Sequence, residues 1–475
     1  MRLPGAAERL GAAERPRAAQ QPCGAETERP PALFRHPLYA ALSALLVLCA
    51  AACGSRLPES DFEQPATSTA PAAAPPLRVG IVASATSPVG GDTFTGPGDG
   101  ARAYFDVLNS RGGIGGRQVQ VETCDDGGSG IGNTECVRRL IEEKKVFALV
   151  ATTALDYAGA PLVSAAGVPD IGGQPIGTAY DTYPHLYGIY GSLAPRTGKK
   201  PGWNGTLYGG TEVYRYFKRA HGARTAAVVS YNQASSASYA RLTVQGLRAE
   251  GYSVVEEQVD FALPNFRAVA ADLKEQGADL VFDAMDTHGN AQLCKAMDAV
   301  GADVTAKVTN VQNWSATVAD DYKDAPRCRN ALWVTGGSRN YDDKDDPQVR
   351  EFRTALQGSL KRSGRNEQAL SQWQLEGWAA AMWFTDAAVT CLGNTSGDAP
   401  AHALTRSCVE RHLDRKEPYT ARGLLLPVGY APAPAPPAER RTCLSVARWR
   451  DGTGWVTQGE MNRNCFTVPQ LPYRP

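Results

Sequence analysis

The feature that most constrains the fold of this chain is an unbroken alternation of predicted strands and helices in its first half. Arg78–Ala83 is a short apolar, β-branched run typical of a buried strand. Further strands are predicted at Gln118–Thr123, Phe147–Val150 and Pro169–Ile171, and helices at Gly100–Ser110, Asn133–Lys144 and Gly159–Ala166. Strands that alternate with helices form a parallel sheet, so the pattern predicts an α/β half-domain.

The predicted strand ends of this half indicate binding rather than catalysis. Ligands of parallel α/β sheets bind beyond the carboxyl ends of the strands. The residues expected there are mostly small and polar: Ser87, Thr93, Phe94, Thr152, Thr153, Gly173 and Gln174. They can hydrogen-bond a small polar molecule, and they include no evident nucleophile, base or metal cage.

The second half repeats the order of the first. Predicted strands lie at Ala226–Ser230, Val254–Val259, Asp279–Asp283 and Ala306–Thr309, and predicted helices lie at Thr211–His221, Tyr239–Glu250, Phe266–Gln276 and Asn290–Val300. Two similar halves that are joined by several crossings leave a cleft between them, where a ligand contacts both halves.

The last third of the chain is expected to connect the two halves. A strand over Ala331–Gly336 leads back towards the first half, and helices follow at Pro347–Gly358 and Gln368–Leu392. The second helix carries Trp373, Trp378 and Trp383, which we expect in the core. Strands at Leu424–Val428 and Cys443–Trp449 are expected to end the fold.

The N-terminal region, 1–52, is typical of a leader followed by a signal peptide. Leu38–Ala52 is apolar, uncharged and too short to span a bilayer comfortably, which suits a secretory signal. Cys53 follows directly and resembles the lipidated cysteine of bacterial lipoproteins, although Ala50 stands where a leucine is usual. A plain secretory signal or an uncleaved anchor is the alternative. Residues 53–76 are rich in Ala, Pro, Ser and Thr and are predicted to form a linker.

The cysteines agree with export. Eight of them lie beyond Cys53, an even number that suggests disulfides. The spacing favours sequential pairs, although sequence alone leaves other connectivities open: Cys124–Cys136, Cys294–Cys328, Cys391–Cys408 and Cys443–Cys465. No closely spaced C-x-x-C pair occurs in the sequence, so no metal site is expected.

Bulk properties exclude several functions. The 475 residues suffice for two or three domains, and the formal net charge of zero gives no reason to expect nucleic-acid binding. The sequence has no phosphate-binding G-x-x-x-x-G-K-[ST] motif, no G-x-S-x-G elbow and no H-E-x-x-H motif. We therefore expect neither an enzyme nor a cofactor.

Several motifs, in order along the chain, resemble the type I periplasmic solute-binding proteins, in particular the Leu/Ile/Val-binding protein family of ABC importers. They include Arg78–Ala83 with Ser87-Pro88, Asn109–Arg117, Ala165–Pro169, Gly277–Val281 and Glu376–Ala380. The resemblance implies a two-lobed clamshell in which each lobe is a parallel-sheet, Rossmann-like sandwich. Lobe 1 would comprise 77–206 and 336–424, and lobe 2 would comprise 207–335 and 425–475.

The resemblance also implies a ligand site in the cleft. Its residues would be Phe94, Thr152, Thr153, Gly173 and Gln174 from lobe 1, and Tyr239, Asp286 and Gln312 from lobe 2. Gln312 is neutral where the family has an acid, so Asp286 is the candidate partner for a cationic group. The alternatives are that Thr152 and Thr153 satisfy backbone groups in a turn and that Asp286 caps a helix.

The function that the resemblance implies is an extracytoplasmic receptor, lipid-anchored to the outer face of the cell membrane. It would capture a small polar solute, such as an amino acid, an amide or a small acid, for an ABC permease. The alternative is a ligand-sensing surface lipoprotein that serves no transporter.

Overall fold

The computed structural model describes residues 75–366, 369–393 and 404–475. The predicted leader, Cys53 and most of the predicted linker lie outside the described residues. The strands are β1 (Leu77–Ala83), β2 (Val119–Asp125), β3 (Ala148–Val150), β4 (Asp170–Gly173), β5 (Leu186–Gly188), β6 (Leu207–Gly209), β7 (Thr225–Tyr231), β8 (Ser253–Val259), β9 (Leu280–Ala284), β10 (Ala306–Thr309), β11 (Leu332–Gly336), β12 (Glu439–Cys443), β13 (Ser445–Arg450), β14 (Gly454–Thr457), β15 (Cys465–Pro469) and β16 (Leu471–Tyr473).

The helices fall largely where the apolar spacing predicts them. They are α1 (Gly91–Phe94), α2 (Gly96–Ser110), α3 (Gly130–Arg138), α4 (Ala160–Ala165), α5 (Ala179–Thr182), α6 (Glu212–His221), α7 (Ala234–Ala249), α8 (Phe266–Glu275), α9 (Thr287–Val300), α10 (Val318–Asp321), α11 (Pro326–Asn330), α12 (Pro347–Arg362), α13 (Gln372–Leu392) and α14 (Arg406–Leu413). Short turns of other helix types lie at Arg139–Glu143, Val311–Asn313 and Ala421–Gly423.

The first lobe is built on a parallel sheet with the strand order β2-β1-β3-β4-β5. Every neighbouring pair in it is parallel, so the carboxyl ends of all its strands meet at one edge. β1, β3 and β4 are mostly buried, as expected for a sheet that is covered by helices on both faces, whereas only Val119 is buried in the edge strand β2.

The second lobe is built on a sheet with the order β14-β13-β11-β10-β9-β7-β8. The strands from β11 to β8 are parallel, whereas β13 and β14 join the β11 edge in antiparallel orientation. The predicted strand Ala331–Gly336 therefore belongs to this second sheet, and the return to the first lobe comes only after it.

The predicted strand Leu424–Val428 is wrong. Leu425 and Val428 make only isolated bridges, to Ser338 and Tyr419. Pro427 lacks a backbone N–H and so cannot donate to a ladder, and a left-handed Arg422 (φ 56°) turns the chain just before this segment. Leu424, Leu425 and Val428 of this apolar run are instead buried in the hydrophobic core without forming a strand.

Helix α13 forms the centre of the first lobe. It begins at a capping box in which Ser371 and Gln374 satisfy each other's backbone N–H groups, and it is buried along most of its length. It lies very close to α2, because a Cβ atom on Gly377 would lie 1.9 Å from the Pro97 carbonyl oxygen. The three tryptophans of α13 are buried, as predicted.

Disulfides join elements that are close in sequence. The structure contains the four sequential pairs that the spacing favoured: Cys124–Cys136, Cys294–Cys328, Cys391–Cys408 and Cys443–Cys465. They connect β2 to α3, α9 to α11, α13 to α14 and β12 to β15.

Among the described residues, no helix has the length and apolar character needed to cross a membrane.

Candidate functional site

A cavity of about 850 Å³ lies between loops of the two lobes, and we call it the interlobe cavity. The first lobe contributes the loop after β1, the start of α2 and the start of α13. The second contributes the start of α9 and the segment after β10. Its polar lining residues include Ser87, Thr93, Asp286, Gln312, Asp321 and Arg365. Its volume falls in the range of small-molecule sites.

Asp286 caps α9 and also lines this cavity. Its Oδ1 atom accepts hydrogen bonds from the Gly289 backbone N–H at 2.9 Å and from the Tyr231 hydroxyl at 3.0 Å. Its Oδ2 atom accepts no hydrogen bond from any described residue. The capping and binding hypotheses are therefore compatible, since one oxygen serves the helix and the other remains available to a ligand.

Gln312 lines the same cavity as Asp286. Its backbone N–H donates to Asn310 Oδ1 at 3.0 Å, which fixes the short turn after β10. Its side-chain amide makes no hydrogen bond with any described residue, so both its oxygen and its nitrogen remain available to a solute.

Two further charged residues line the cavity, and sequence reasoning missed both. Arg365 pairs with Asp99 of α2, and its second terminal nitrogen donates to Thr95 Oγ1 at 3.3 Å. Asp321 accepts a hydrogen bond from Thr317 at 2.7 Å, and burial raises the pKa of the Asp321 carboxyl. The lining thus offers carboxylates on the second lobe and a guanidinium near the first. No strand-end pattern marks Arg365 or Asp321, because both come from loops and short helices.

Thr152 and Thr153 are almost completely buried, and neither belongs to the lining of the interlobe cavity. The Thr152 hydroxyl donates to Asp170 Oδ1 at 3.0 Å, and the Thr153 hydroxyl donates to the Ala151 carbonyl at 3.2 Å. Asp170 also accepts from the hydroxyls of Tyr157 at 2.6 Å and Tyr180 at 2.9 Å. Burial without a cationic partner raises the pKa of Asp170 to about 6.

Gly173 and Gln174 lie at the end of β4, also outside the lining of the interlobe cavity. A Cβ atom on Gly173 would overlap the Tyr180 hydroxyl, at 1.6 Å, so the glycine makes room for that ring. Gln174 donates through Nε2 to the buried Glu376 at 2.8 Å. Burial raises the pKa of Glu376, and its hydrogen bonds act in the opposite direction.

The remaining predicted site residues are separated from each other. Phe94 is 1% exposed and packs edge-on against Trp373, with ring centroids 5.5 Å apart. Tyr239 is 54% exposed and lines a second cavity, described below. Of the eight residues, the structure therefore brings Asp286 and Gln312 together in the interlobe cavity.

Two α/β lobes with a polar cavity between them define the class of two-lobed, clamshell binding proteins. The sequence matches the periplasmic binding protein family over residues 76–441, and the chain belongs to that family. The family and fold predicted from the motifs are thereby confirmed. No curated protein sequence shows significant similarity to this chain.

Solved structures with the same fold support this assignment. The leucine-binding protein LivK of Thermotoga maritima is 13% identical, with a TM-score of 0.60 over 82% of this chain and 99% of that chain. The isoleucine complex of LivJ from Streptococcus pneumoniae is 12% identical, with a TM-score of 0.57 over 81% and 100%. A benzoate complex of a solute-binding protein from R. palustris is 16% identical, with a TM-score of 0.57 over 83% and 97%. At these identities the likeness concerns the fold.

Proposed function

We propose that this periplasmic binding protein is the extracytoplasmic receptor of an ABC importer and captures a small polar solute in the interlobe cavity. The observation that supports the proposal most directly is that Asp286, whose Oδ2 atom no described residue satisfies, lines the same cavity as Gln312 and the loop after β1. A solute held there contacts both lobes, so its binding favours the closed form.

The polar lining favours a solute with a positively charged end. Asp286 is held rigidly by its two donors and presents a carboxylate oxygen that no described residue satisfies. A cationic group that leaves water needs such a partner. Similar proteins are known with isoleucine or with benzoate, so the fold accommodates both zwitterionic and anionic solutes.

The test begins with a thermal-shift panel of amino acids, amides and small acids, and the strongest hit is then measured by calorimetry. Asp286→Asn should weaken binding of a cationic hit by about 2–5 kcal/mol, since the ligand charge loses its partner. Glu351→Gln, a surface position that lines neither this cavity nor the second one, is the control and should bind as wild type does. If Asp286→Asn and a Gln312→Ala variant both bind with wild-type affinity, the ligand site is elsewhere.

We also propose that Cys53 is lipidated and tethers the folded domain through the linker of residues 53–76. The apolar segment Leu38–Ala52, which ends in small residues before Cys53, supports this. Cys53→Ser should release the protein from the membrane fraction. Membrane association of that variant, with Leu38–Ala52 still attached, would instead indicate an uncleaved anchor.

A further inference from the structure

A second cavity, of about 640 Å³, lies beside the chain crossings that connect the lobes, and we call it the hinge cavity. Three chain crossings connect the lobes: the first follows β5, the second follows β11 and the third precedes β12. Tyr190, Gly337 and Pro427 line the cavity from these crossings. The second lobe contributes Glu212, Tyr239 and Thr309. It shares only Val311 with the lining of the interlobe cavity. It is thus a separate concave site of a size that suits a small molecule.

Aromatic rings form an apolar part of the hinge cavity. Tyr190 is 39% exposed and Tyr239 is 54% exposed, which is unusual for large rings that line a concave surface. The Tyr190 ring is held in place because its hydroxyl donates to Glu376 Oε1 at 2.8 Å. Behind them, Tyr214 and Phe282 pack edge to face. Exposed, oriented rings of this kind bind apolar or aromatic ligand groups.

The lining also holds two opposite charges that do not pair with each other. Glu212 is the first residue of α6, and its Oε2 atom is buried with no hydrogen-bond partner among the described residues. Arg440 on β12 is exposed, and its guanidinium forms no ion pair or hydrogen bond with any described residue. Burial raises the pKa of the Glu212 carboxyl, and the positive charge of Arg440 acts in the opposite direction.

The neighbouring charged residues do not neutralise this pair. Asp283 lines the cavity, but the buried Lys307 ammonium compensates its charge. Arg441 follows Arg440 on the strand and also lines the cavity, and its guanidinium likewise forms no ion pair with any described residue. Thr309 is 4% exposed, and its hydroxyl is likewise without a partner among the described residues. The lining therefore combines one carboxylate and two guanidinium groups that form no ion pair with any described residue, together with exposed aromatic rings.

We propose that the hinge cavity is a second small-molecule site and binds a zwitterion with an apolar or aromatic side chain. The ligand ammonium pairs with Glu212, the ligand carboxylate pairs with Arg440, and the side chain packs on Tyr190 and Tyr239. A ligand with a single charge would leave either Glu212 or Arg440 without a partner, which is why a zwitterion fits best. The site is independent of the solute proposed for the interlobe cavity.

Calorimetry with three probes tests each charge separately: L-phenylalanine, 2-phenylethylamine, which lacks the carboxylate, and 3-phenylpropionate, which lacks the ammonium. L-Phenylalanine should bind tightest. Glu212→Gln should weaken L-phenylalanine and the amine at least about tenfold and leave 3-phenylpropionate unchanged. Arg440→Gln should weaken L-phenylalanine and 3-phenylpropionate to a similar degree and leave the amine unchanged. Because Arg440 is exposed, its variant should fold normally.

Glu439→Gln, an exposed position next to Arg440 that lines neither cavity, is the matched control and should bind all three probes as wild type does. Asp286→Asn should also leave L-phenylalanine binding unchanged. Loss of L-phenylalanine binding in Asp286→Asn alone would place the probe in the interlobe cavity and overturn the hinge site. No binding of L-phenylalanine at millimolar concentration, or equal affinities in Glu212→Gln, Arg440→Gln and wild type, would overturn it as well.

Discussion

At the scale of single residues, this protein keeps carboxyl groups in its core that no cation neutralises. Asp170 is fully buried, and among the described residues its carboxyl accepts hydrogen bonds only from the hydroxyls of Thr152, Tyr157 and Tyr180. The threonines predicted as ligand contacts are therefore explained, in part, by the needs of a neighbouring acid. The sequence could not show this, because helix α4 separates Thr152 from Asp170 along the chain. The two residues come into contact only when β3 and β4 pair.

Asp170 should make the stability of the protein depend on pH. Burial raises the pKa of the Asp170 carboxyl from 3.8, its ordinary value, to about 6 in the folded protein. The folded state therefore binds the proton more tightly than the unfolded state. This contribution is complete below about pH 4 and is lost as the pH rises through about 6, which amounts to about 3 kcal/mol. Urea unfolding from pH 4 to pH 7 should show this loss in wild type and not in Asp170→Asn.

The exposed Asp345→Asn is the control for that experiment, and its pH profile should follow wild type. If Asp170→Asn and wild type show parallel stability profiles between pH 4 and pH 6, then Asp170 does not titrate differently in the folded state.

At the scale of elements, the contact between α2 and α13 decides how the first lobe is packed. Helical spacing in the sequence predicts both helices, and Ser371 with Gln374 marks the true start of α13, a few residues after the predicted one. The close approach depends on glycines on both helices. A Cβ atom on Gly100 would overlap the Gln374 carbonyl, and a Cβ atom on Gly377 would overlap the Pro97 carbonyl. Periodicity shows which residues are apolar but not which glycine touches a neighbouring backbone.

Gly377→Ala should therefore destabilise the protein. Its Cβ atom would lie 1.9 Å from the Pro97 carbonyl oxygen, and relieving that overlap would push the helices apart. We expect a loss of about 1–3 kcal/mol in the free energy of unfolding, measured in urea. Gly358→Ala on α12 is the matched control, since its nearest neighbour is the flexible Arg362 side chain at 3.4 Å. That variant should be neutral or gain up to about 1 kcal/mol from helix propensity; equal effects at both positions would contradict the packing argument.

At the scale of the whole molecule, Glu376 joins the first lobe to the chain crossings. It accepts hydrogen bonds from Gln174 at the end of β4, from Tyr190 in the first crossing at 2.8 Å and from Ser338 in the second crossing at 2.6 Å. Three segments that are far apart in sequence therefore depend on one buried carboxylate. Its position on α13 gives a physical link between the core of the first lobe and the segments that connect the lobes.

Glu376→Gln should loosen the crossings. An amide offers one acceptor oxygen where the carboxylate has two, so at least one buried donor loses its partner, at a cost of about 1–3 kcal/mol. Hydrogen exchange should be faster around Tyr190 and Ser338 than in wild type, with β9 in the second sheet unchanged. Glu351→Gln, which removes a surface pair with Arg111, is the control and should stay within about 0.5 kcal/mol of wild type. Unaltered exchange at the crossings in Glu376→Gln would argue against this role.

The sequence by itself determined the alternation of strands and helices, its motifs and cysteine spacing indicated the two-lobed class and the disulfide pairs, and it left helix capping by Asp286 as one of two alternatives. These follow from periodicity, glycine turns and local hydrogen bonding, which act over a few residues. Only the tertiary structure decided that Asp286 and Gln312 share a cavity with Arg365, and that Tyr239 lies in a different cavity with Glu212 and Arg440. The reason is that parallel strands and chain crossings bring together residues hundreds of positions apart, and which of them face a cavity depends on packing that no local pattern records.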